Sequence, residues 1–403
     1  MLQFSAANPI WRGLTIMTAH IGKCAAVAIR SEIAFLHAPS LPAFRNDRFQ
    51  PLPSATFLAL SDAPAFLPQD SVNSVNLRPV FANGDRMSDS REPTREGVLR
   101  AAAKVAGILP PTPLLPLEIE GTRLWAKAET LQPVGAFKIR GAWHRLSDLS
   151  EEERARGVVA VSSGNHAQGV AWAAKRLGIA AAIVMPRDAP KVKLEATRAL
   201  GAEIVLYDRP GEDRDEVAAR EVERRGAVLV HAFADPWVIE GQGSAGIEIA
   251  AQLGREPSRI VACCGGGGLS AGLALACPSA EIVPVEPTGW DMVGRSLAAG
   301  EIVRAGSDAP KTICDALQPV ATAPINLAVL QGRSEPGVTV TDDEVRAAQR
   351  FTFAKLKLVV EPGGAAALAA ALAGKVPLDE TTVVMLTGGN CDPESFAATI
   401  AGV

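Results

Sequence analysis

Residues 133–142 read PVGAFKIRGA and place one lysine, Lys138, in a tight apolar turn immediately ahead of a helix-compatible run. Phe137 and Ile139 flank it, and Gly135-Ala136 precede it. Burial in such a setting disfavours the ammonium form and lowers the pKa of the amine. A neutral amine attacks carbonyl groups, which is what a Schiff-base lysine requires, whether the carbonyl belongs to a substrate or to a cofactor. The competing reading is a snorkelling lysine whose stem packs on Phe137. The rest of the chain decides between them.

After residue 158 short apolar runs alternate with helical ones. Strands are expected at 158–161, 181–185, 203–207, 227–231, 259–262, 281–285 and 382–386, and helices at 96–107, 167–177, 191–200, 213–225 and 244–253. Continuous apolar strands separated by amphipathic helices imply parallel sheets covered on both faces, an α/β fold. There is no internal repeat and no long charge run.

The 403 residues, 48% hydrophobic and 21% charged, describe an ordinary globular protein with ample chain for a large core. A net charge of -4 argues against a nucleic-acid-binding face, so the expected partner is a small molecule. Cys24, Cys263, Cys264, Cys277, Cys314 and Cys391 show no C-x-x-C spacing, which predicts reduced thiols in a cytoplasmic enzyme rather than a zinc or disulfide framework. No apolar run has the length of a membrane span, so no membrane partner is expected. Residues 1–86 differ from the remainder of the chain: they hold seven of the 12 Phe, eight Pro, five acidic residues and one lysine, Lys23, with no sustained periodicity. They read as a targeting peptide or, preferably, as an upstream extension with the working start at Met87, and in either case as lying outside the fold.

Three further stretches come directly after apolar runs and precede, or end near, helical ones. Residues 162–169, SSGNHAQG, form a small-residue turn whose N–H groups would make an anion site suited to a carboxylate, with the Ser163 hydroxyl and the Asn165 amide beside it. A simple N-cap is the alternative, and a packed, hydrogen-bonded side chain is the plainer reading of His166. Residues 263–270, CCGGGGLS, let the main chain curl around a phosphate. They match neither a P-loop nor a dinucleotide fingerprint, which disfavours a nucleotide. Residues 386–390, LTGGN, offer the neutral hydroxyl of Thr387, or simply a strand-ending turn.

FKIRGA, SSGNHAQG, GGGGL, VEP (285–287), VEPGGA (360–365) and TGGN, in this order over about 110–390, resemble the fold-type II pyridoxal-phosphate enzymes, specifically the threonine/serine dehydratase and serine racemase branch. The resemblance implies a tryptophan synthase β-like α/β fold of two domains with parallel-type twisted sheets. A large cofactor domain would comprise 91–140 plus 234–403, and a small domain 141–233. It implies pyridoxal 5'-phosphate on Lys138, with Phe137 packing on its ring, Asn165 bonded to its phenolic oxygen, and Gly265, Gly266, Gly267, Gly268 and Leu269 holding its phosphate. Thr387 would face the ring nitrogen, where the family often carries serine, and Glu361 joins the cofactor contacts. Ser162, Ser163, Gly164, Asn165, His166 and Asp315 would line the substrate, and a homo-oligomer, a dimer, is expected.

The chemistry so implied is loss of water from a β-hydroxy amino acid, threonine or serine, to give a 2-oxo acid and ammonia, with the Lys138 amine removing the α-proton. Serine racemisation is the alternative, with Ser163 as acid/base on the opposite face; 3-hydroxyaspartate ammonia-lyase is another, and a non-catalytic relative a third. EPTGWDM (286–292) resembles the family's divalent-cation loop and makes Glu286, the Trp290 carbonyl and Asp291 candidate Mg2+ or Ca2+ ligands. The expected second acid position, however, falls on Met292. With 13 residues after Asn390, no effector-binding domain is expected, and hence hyperbolic kinetics without isoleucine inhibition.

Overall fold

The apolar runs that alternate with helices become the strands of two separate sheets. The structure is a computed structural model that describes residues 91–402 apart from 190 and 210, so the expectations for 1–86 lie outside the described residues. The strands are β1 (Leu114–Ile119), β2 (Thr122–Ala128), β3 (Val158–Val161), β4 (Ala181–Pro186), β5 (Glu203–Tyr207), β6 (Val228–Leu229), β7 (Arg259–Cys263), β8 (Glu281–Pro287), β9 (Val338–Val340) and β10 (Val383–Leu386). The helices are α1 (Arg95–Ala106), α2 (Lys138–Ser147), α3 (Glu151–Arg156), α4 (Asn165–Leu177), α5 (Lys191–Ala199), α6 (Arg214–Arg225), α7 (Pro236–Leu253), α8 (Gly268–Ala276), α9 (Met292–Ala299), α10 (Pro324–Leu330), α11 (Asp342–Leu356), α12 (Pro362–Leu372) and α13 (Pro393–Ala401).

One sheet runs β1-β2-β10-β7-β8-β9 and the other β5-β4-β3-β6. All pairings are parallel except the β1–β2 hairpin, which turns at Glu120-Gly121, both at positive φ (49° and 80°). Both sheets are covered by helices, and the inner strands β3, β4, β7, β8 and β10 are buried almost throughout, as continuous apolar runs require, while the edge strands β1, β5, β6 and β9 are only partly buried. This is the α/β architecture that the alternating pattern anticipates.

The differences from expectation have local causes. The hairpin was not anticipated because β1 alternates weakly: only Leu117 and Ile119 of this strand are buried. Helix α7 starts at Pro236, capped by the Asp235 side chain accepting from Val238 N–H, eight residues ahead of the expected 244. Gly241, Gly243 and Gly246 interrupt its apolar period. They are there because α7 is crossed closely: a Cβ on Gly241 would lie 2.5 Å from Gly141 Cα of α2, and one on Gly243 2.5 Å from Gly272 O of α8. Among described residues, no helix is long and apolar enough to cross a membrane.

A buried ionic network ties α2 to both its neighbours. Arg140 forks onto Glu129 (Nε–Oε2 2.7 Å, Nη2–Oε1 2.8 Å) and onto Glu248 of α7 (Nη1–Oε1 2.7 Å, Nη2–Oε2 2.7 Å). Lys127 of β2 completes it, donating to Glu248 at 2.8 Å, to Gln252 at 2.9 Å and to the Thr112 carbonyl at 2.8 Å. The four charges sum to zero, and Glu129 also accepts from Thr112 Oγ1 at 2.6 Å. Removing one member of such a set strands the opposite charge in a dry environment. Arg140→Met is therefore expected to cost about 3–5 kcal/mol, read as a lowered urea midpoint, with Glu129 and Glu248 left facing Lys127 alone.

Candidate active site

Lys138 opens α2, and the turn that delivers it is stitched to the end of β10. Phe137 N–H donates to Thr387 O at 3.0 Å, Gly389 N–H donates to Gly135 O at 2.8 Å, and Ala136 bridges to Gly388. Gly135 sits at φ 69°, where a side chain would be strained and would press on Asn390 Oδ1 at 2.5 Å. The Lys138 ammonium lies 5.1 Å from the centre of the Phe137 ring and donates to the Ala232 carbonyl at 2.8 Å. Burial lowers its pKa to about 8. This is the desolvated amine that the flanking apolar residues anticipate.

Two imidazoles adjoin it. His166 donates Nε2–H to Val230 O at 2.9 Å, leaving Nδ1 unpartnered, while His231 Nδ1 accepts from Phe233 N–H (3.3 Å) and Ala234 N–H (2.8 Å). Burial, then the neighbouring Lys138 charge, hold them down to about 3 and about 4, so both are neutral. The His166 ring is thus a packed, hydrogen-bonded group, the plainer of the two readings open in the sequence.

SSGNHAQG leaves β3 and enters α4. Gly164 is the N-cap and no side chain caps the helix, so the alternative in which Ser163 or Asn165 caps it does not form. Ser162 Oγ instead accepts from Gly164 N–H at 3.1 Å. Asn165 donates to Glu361 Oε1 at 2.5 Å and accepts from Asn390 Nδ2 at 2.7 Å, while Asn390 also donates to Val134 O at 2.9 Å. One amide cluster therefore joins α4, the N-cap of α12 and the turn ahead of Lys138. Burial raises the Glu361 carboxyl to about 7.

The glycine run joins β7 to α8. Gly267 is the N-cap at φ 91°, with no side-chain cap, so the N–H groups of Gly268, Leu269 and Ser270 are free of an intrahelical acceptor. Thr322 Oγ1 (3.0 Å) and Asn326 Nδ2 (2.6 Å) both hold the Gly266 carbonyl and fix that peptide. A Cβ on Gly266 would run into the Phe233 ring, and one on Gly268 would come within 3.0 Å of Phe233 Cβ. Glycine here permits close approach as well as φ freedom, and the resulting cradle of N–H groups at a helix N-terminus fits a phosphate. A desolvated lysine and a phosphate cradle, tied through Phe233 and Ala232, fit pyridoxal phosphate.

Thr387 Oγ1 lies 3.0 Å from Cys263 Sγ, a buried thiol that burial pushes up to about 11 and so keeps protonated. Asp315 starts a 3-10 turn, Asp315–Leu317, and pairs with Lys193 of α5 at 2.7 Å, with its side chain 61% exposed. Sequence reasoning missed Ala232, Phe233, Thr322, Asn326 and Lys193. They act through main-chain atoms or from distant elements, and the only sequence signal near them is Asp235-Pro236, which marks the joint ahead of α7. In the cation loop Glu286 accepts from Val293 N–H (2.9 Å) and Gly294 N–H (2.8 Å), one oxygen each, the expected second acid position is the buried Met292, and among described residues no group of three or more His, Cys, Asp or Glu is placed to hold a metal. Its donors do not fit a divalent cation. For Lys138, capture of added pyridoxal phosphate by the cofactor-free protein requires the neutral amine. The rate, followed by borohydride trapping, is expected to rise with pH through a midpoint near 8 and to level off above it, well below the usual lysine range near 10.5.

Residues 105–388 match the family described as pyridoxal-phosphate dependent enzyme. The chain is 37% identical to the serine racemase of Schizosaccharomyces pombe, over 76% of this chain and 96% of that one. It is 38% identical to the L-threo-3-hydroxyaspartate ammonia-lyase of Saccharomyces cerevisiae, over 77% and 97%. Among solved structures, the T.th. threonine deaminase superposes with a TM-score of 0.68 at 41% identity, covering 74% of this chain and 99% of that one. Maize serine racemase gives 0.72 at 34% identity, covering 77% and 98%. With the lysine turn, the glycine cradle and the two parallel sheets in place, the chain belongs to the fold-type II pyridoxal-phosphate enzymes of the threonine/serine dehydratase and serine racemase family, and its cofactor is pyridoxal phosphate.

Proposed function

We propose that this chain eliminates water from L-serine or L-threonine to give a 2-oxo acid and ammonia. The observation that carries the reading is Lys138: a partly buried amine with a lowered pKa, one hydrogen bond from a main-chain carbonyl and beside the glycine cradle. Pyridoxal phosphate, when bound, supplies the electron sink for the charge left at Cα. The uncapped first turn of α4 presents N–H groups to the substrate carboxylate. The neutral Lys138 amine takes the α-proton, the β-hydroxyl leaves as water, and the released enamine tautomerises and hydrolyses. Asn165, held between Glu361 and Asn390, would hold the cofactor ring at its phenolic oxygen, and Thr387, with its hydroxyl beside the Cys263 thiol, would offer the ring nitrogen an uncharged partner. The two sheets with their helices act as two domains with the cofactor between them. The enzyme is read as a homodimer and as cytoplasmic; the free thiols of Cys263, Cys264, Cys277, Cys314 and Cys391 among the described residues support the second reading alone.

One observation favours serine racemisation as a second activity. Ser163 does not cap α4, which leaves its hydroxyl free of that role, and by the family resemblance it would act on the face opposite Lys138. Substitution separates the two. Lys138→Ala is expected to abolish 2-oxo acid formation, a fall of about 10²–10⁴-fold or more for a lost general base, together with the Schiff-base absorbance. Ser163→Ala is expected to keep deamination of L-serine and L-threonine and to lose D-serine formation, followed by chiral chromatography of recovered serine. Equal loss of L-substrate deamination in both variants would overturn the two-face assignment. A panel of serine, threonine and threo-3-hydroxyaspartate, scored by kcat/KM, tests the substrate: a clear preference for the dicarboxylate would replace the serine/threonine reading.

A further inference from the structure

The segment after β8 resembles a divalent-cation loop in sequence, yet its side chains are arranged for something else. Glu286, 2% exposed at the end of β8, reaches forward over seven and eight residues to accept Val293 N–H at 2.9 Å and Gly294 N–H at 2.8 Å. Those two N–H groups belong to the second and third residues of α9 and have no acceptor within the helix. The natural N-cap, Asp291, makes no side-chain cap bond, so Glu286 caps α9 from outside. Each carboxyl oxygen takes one donor at the positive end of the helix dipole, while burial, against the pull of the two N–H bonds, raises the pKa of the group to about 8.

Three neighbouring features fit this arrangement, and the first of them disfavours a cation. Met292, at the place of the second acid, is fully buried (0% exposed), and a thioether is a poor ligand for a hard cation. Gly294 leaves room for the carboxylate: a Cβ there would lie 3.3 Å from Glu286 Oε2 and 2.5 Å from the Pro336 carbonyl. Ser296 Oγ donates to Met292 O at 2.6 Å and accepts from Val303 N–H at 2.9 Å, holding the turn of helix that carries Met292. With both Glu286 oxygens engaged by N–H groups and a thioether at the second acid position, the loop does not offer the pair of carboxylates expected for Mg2+ or Ca2+.

We propose that the N-terminus of α9 takes the place of the divalent cation in this chain, so that the protein folds, holds its cofactor and turns over without Mg2+ or Ca2+. The consequence reaches the glycine cradle: Cys264 N–H donates to Val285 O at 2.7 Å, one residue before Glu286, so the Glu286 cap fixes the strand end against which the cradle is set. The proposal does not depend on which amino acid is the substrate.

The test uses the full-length holoenzyme, exhaustively dialysed against EDTA, with metal content, melting temperature and retained pyridoxal phosphate as readouts beside activity. Dialysis followed by MgCl2 or CaCl2 is expected to shift the melting temperature by less than about 1 °C, since a ligand without a site gives no linkage. Glu286→Gln, which keeps only one acceptor oxygen, is expected to lower the melting temperature by an amount that neither salt restores. Met292→Asp is expected to acquire a rise in melting temperature with CaCl2 or MgCl2 that EDTA reverses. A wild-type melting temperature that falls in EDTA and recovers with either salt overturns the proposal, as does a Glu286→Gln variant as stable as the wild type. So does a folded Met292→Asp protein no more responsive to cations than the parent. If Met292→Asp does not fold, the first two arms decide.

Discussion

The position of Lys138 depends on a charge balance several ångströms behind it. Arg140, two residues on, is fully buried and shared between Glu129 on the chain leaving β2 and Glu248 on α7, with Lys127 compensating the second carboxylate. Buried ions stay folded only when paired and hydrogen-bonded, so this set has one satisfactory arrangement and locks α2 in a single place. Glycine-to-glycine crossings of α7 with α2 and α8 then bring the helix carrying the lysine within close reach of the helix that the glycine cradle caps. The two cofactor-binding ends are thereby fixed by one packed unit rather than by loops.

A second constraint works on the opposite side. Asn165 comes from the four-stranded sheet, while Glu361 and Asn390 come from elements of the six-stranded one, and the three share hydrogen bonds of 2.5 and 2.7 Å. A neutral amide is suited to this role: it donates and accepts at once without adding a charge beside the lysine. The two neutral histidines and the protonated Cys263 follow the same rule. Around Lys138 the protein supplies dipoles and hydrogen bonds rather than a close counter-ion, so burial is left to lower the pKa of the amine to about 8.

The loop after β8 shows a buried acid satisfied by a helix end. Glu286 accepts the first free N–H groups of α9, and the buried Met292 stands at the position where the family resemblance expects a second acid. The hydrogen-bonding demand of that carboxyl is met by the helix, while burial raises its pKa to about 8.

The order of residues alone dictates the parallel α/β class, because a strand buried on both faces must be apolar throughout and the helices between such strands must be amphipathic. It also singles out the candidate lysine and the glycine run, because an amine in an apolar turn and a run of glycines at a strand-to-helix joint are conspicuous in one dimension. The ordered set of motifs was enough to place the chain in its family. Other features needed the folded chain. Whether Asn165 would cap its own helix or bridge two sheets depended on Glu361 and Asn390, about 200 residues away in the chain. Why Gly266 and Gly268 are glycine depended on the Phe233 ring. Which partners Glu286 would take depended on where α9 begins. Each is a choice between acceptors or neighbours of similar intrinsic strength, and only proximity in space, which spacing along the chain does not encode, selects among them.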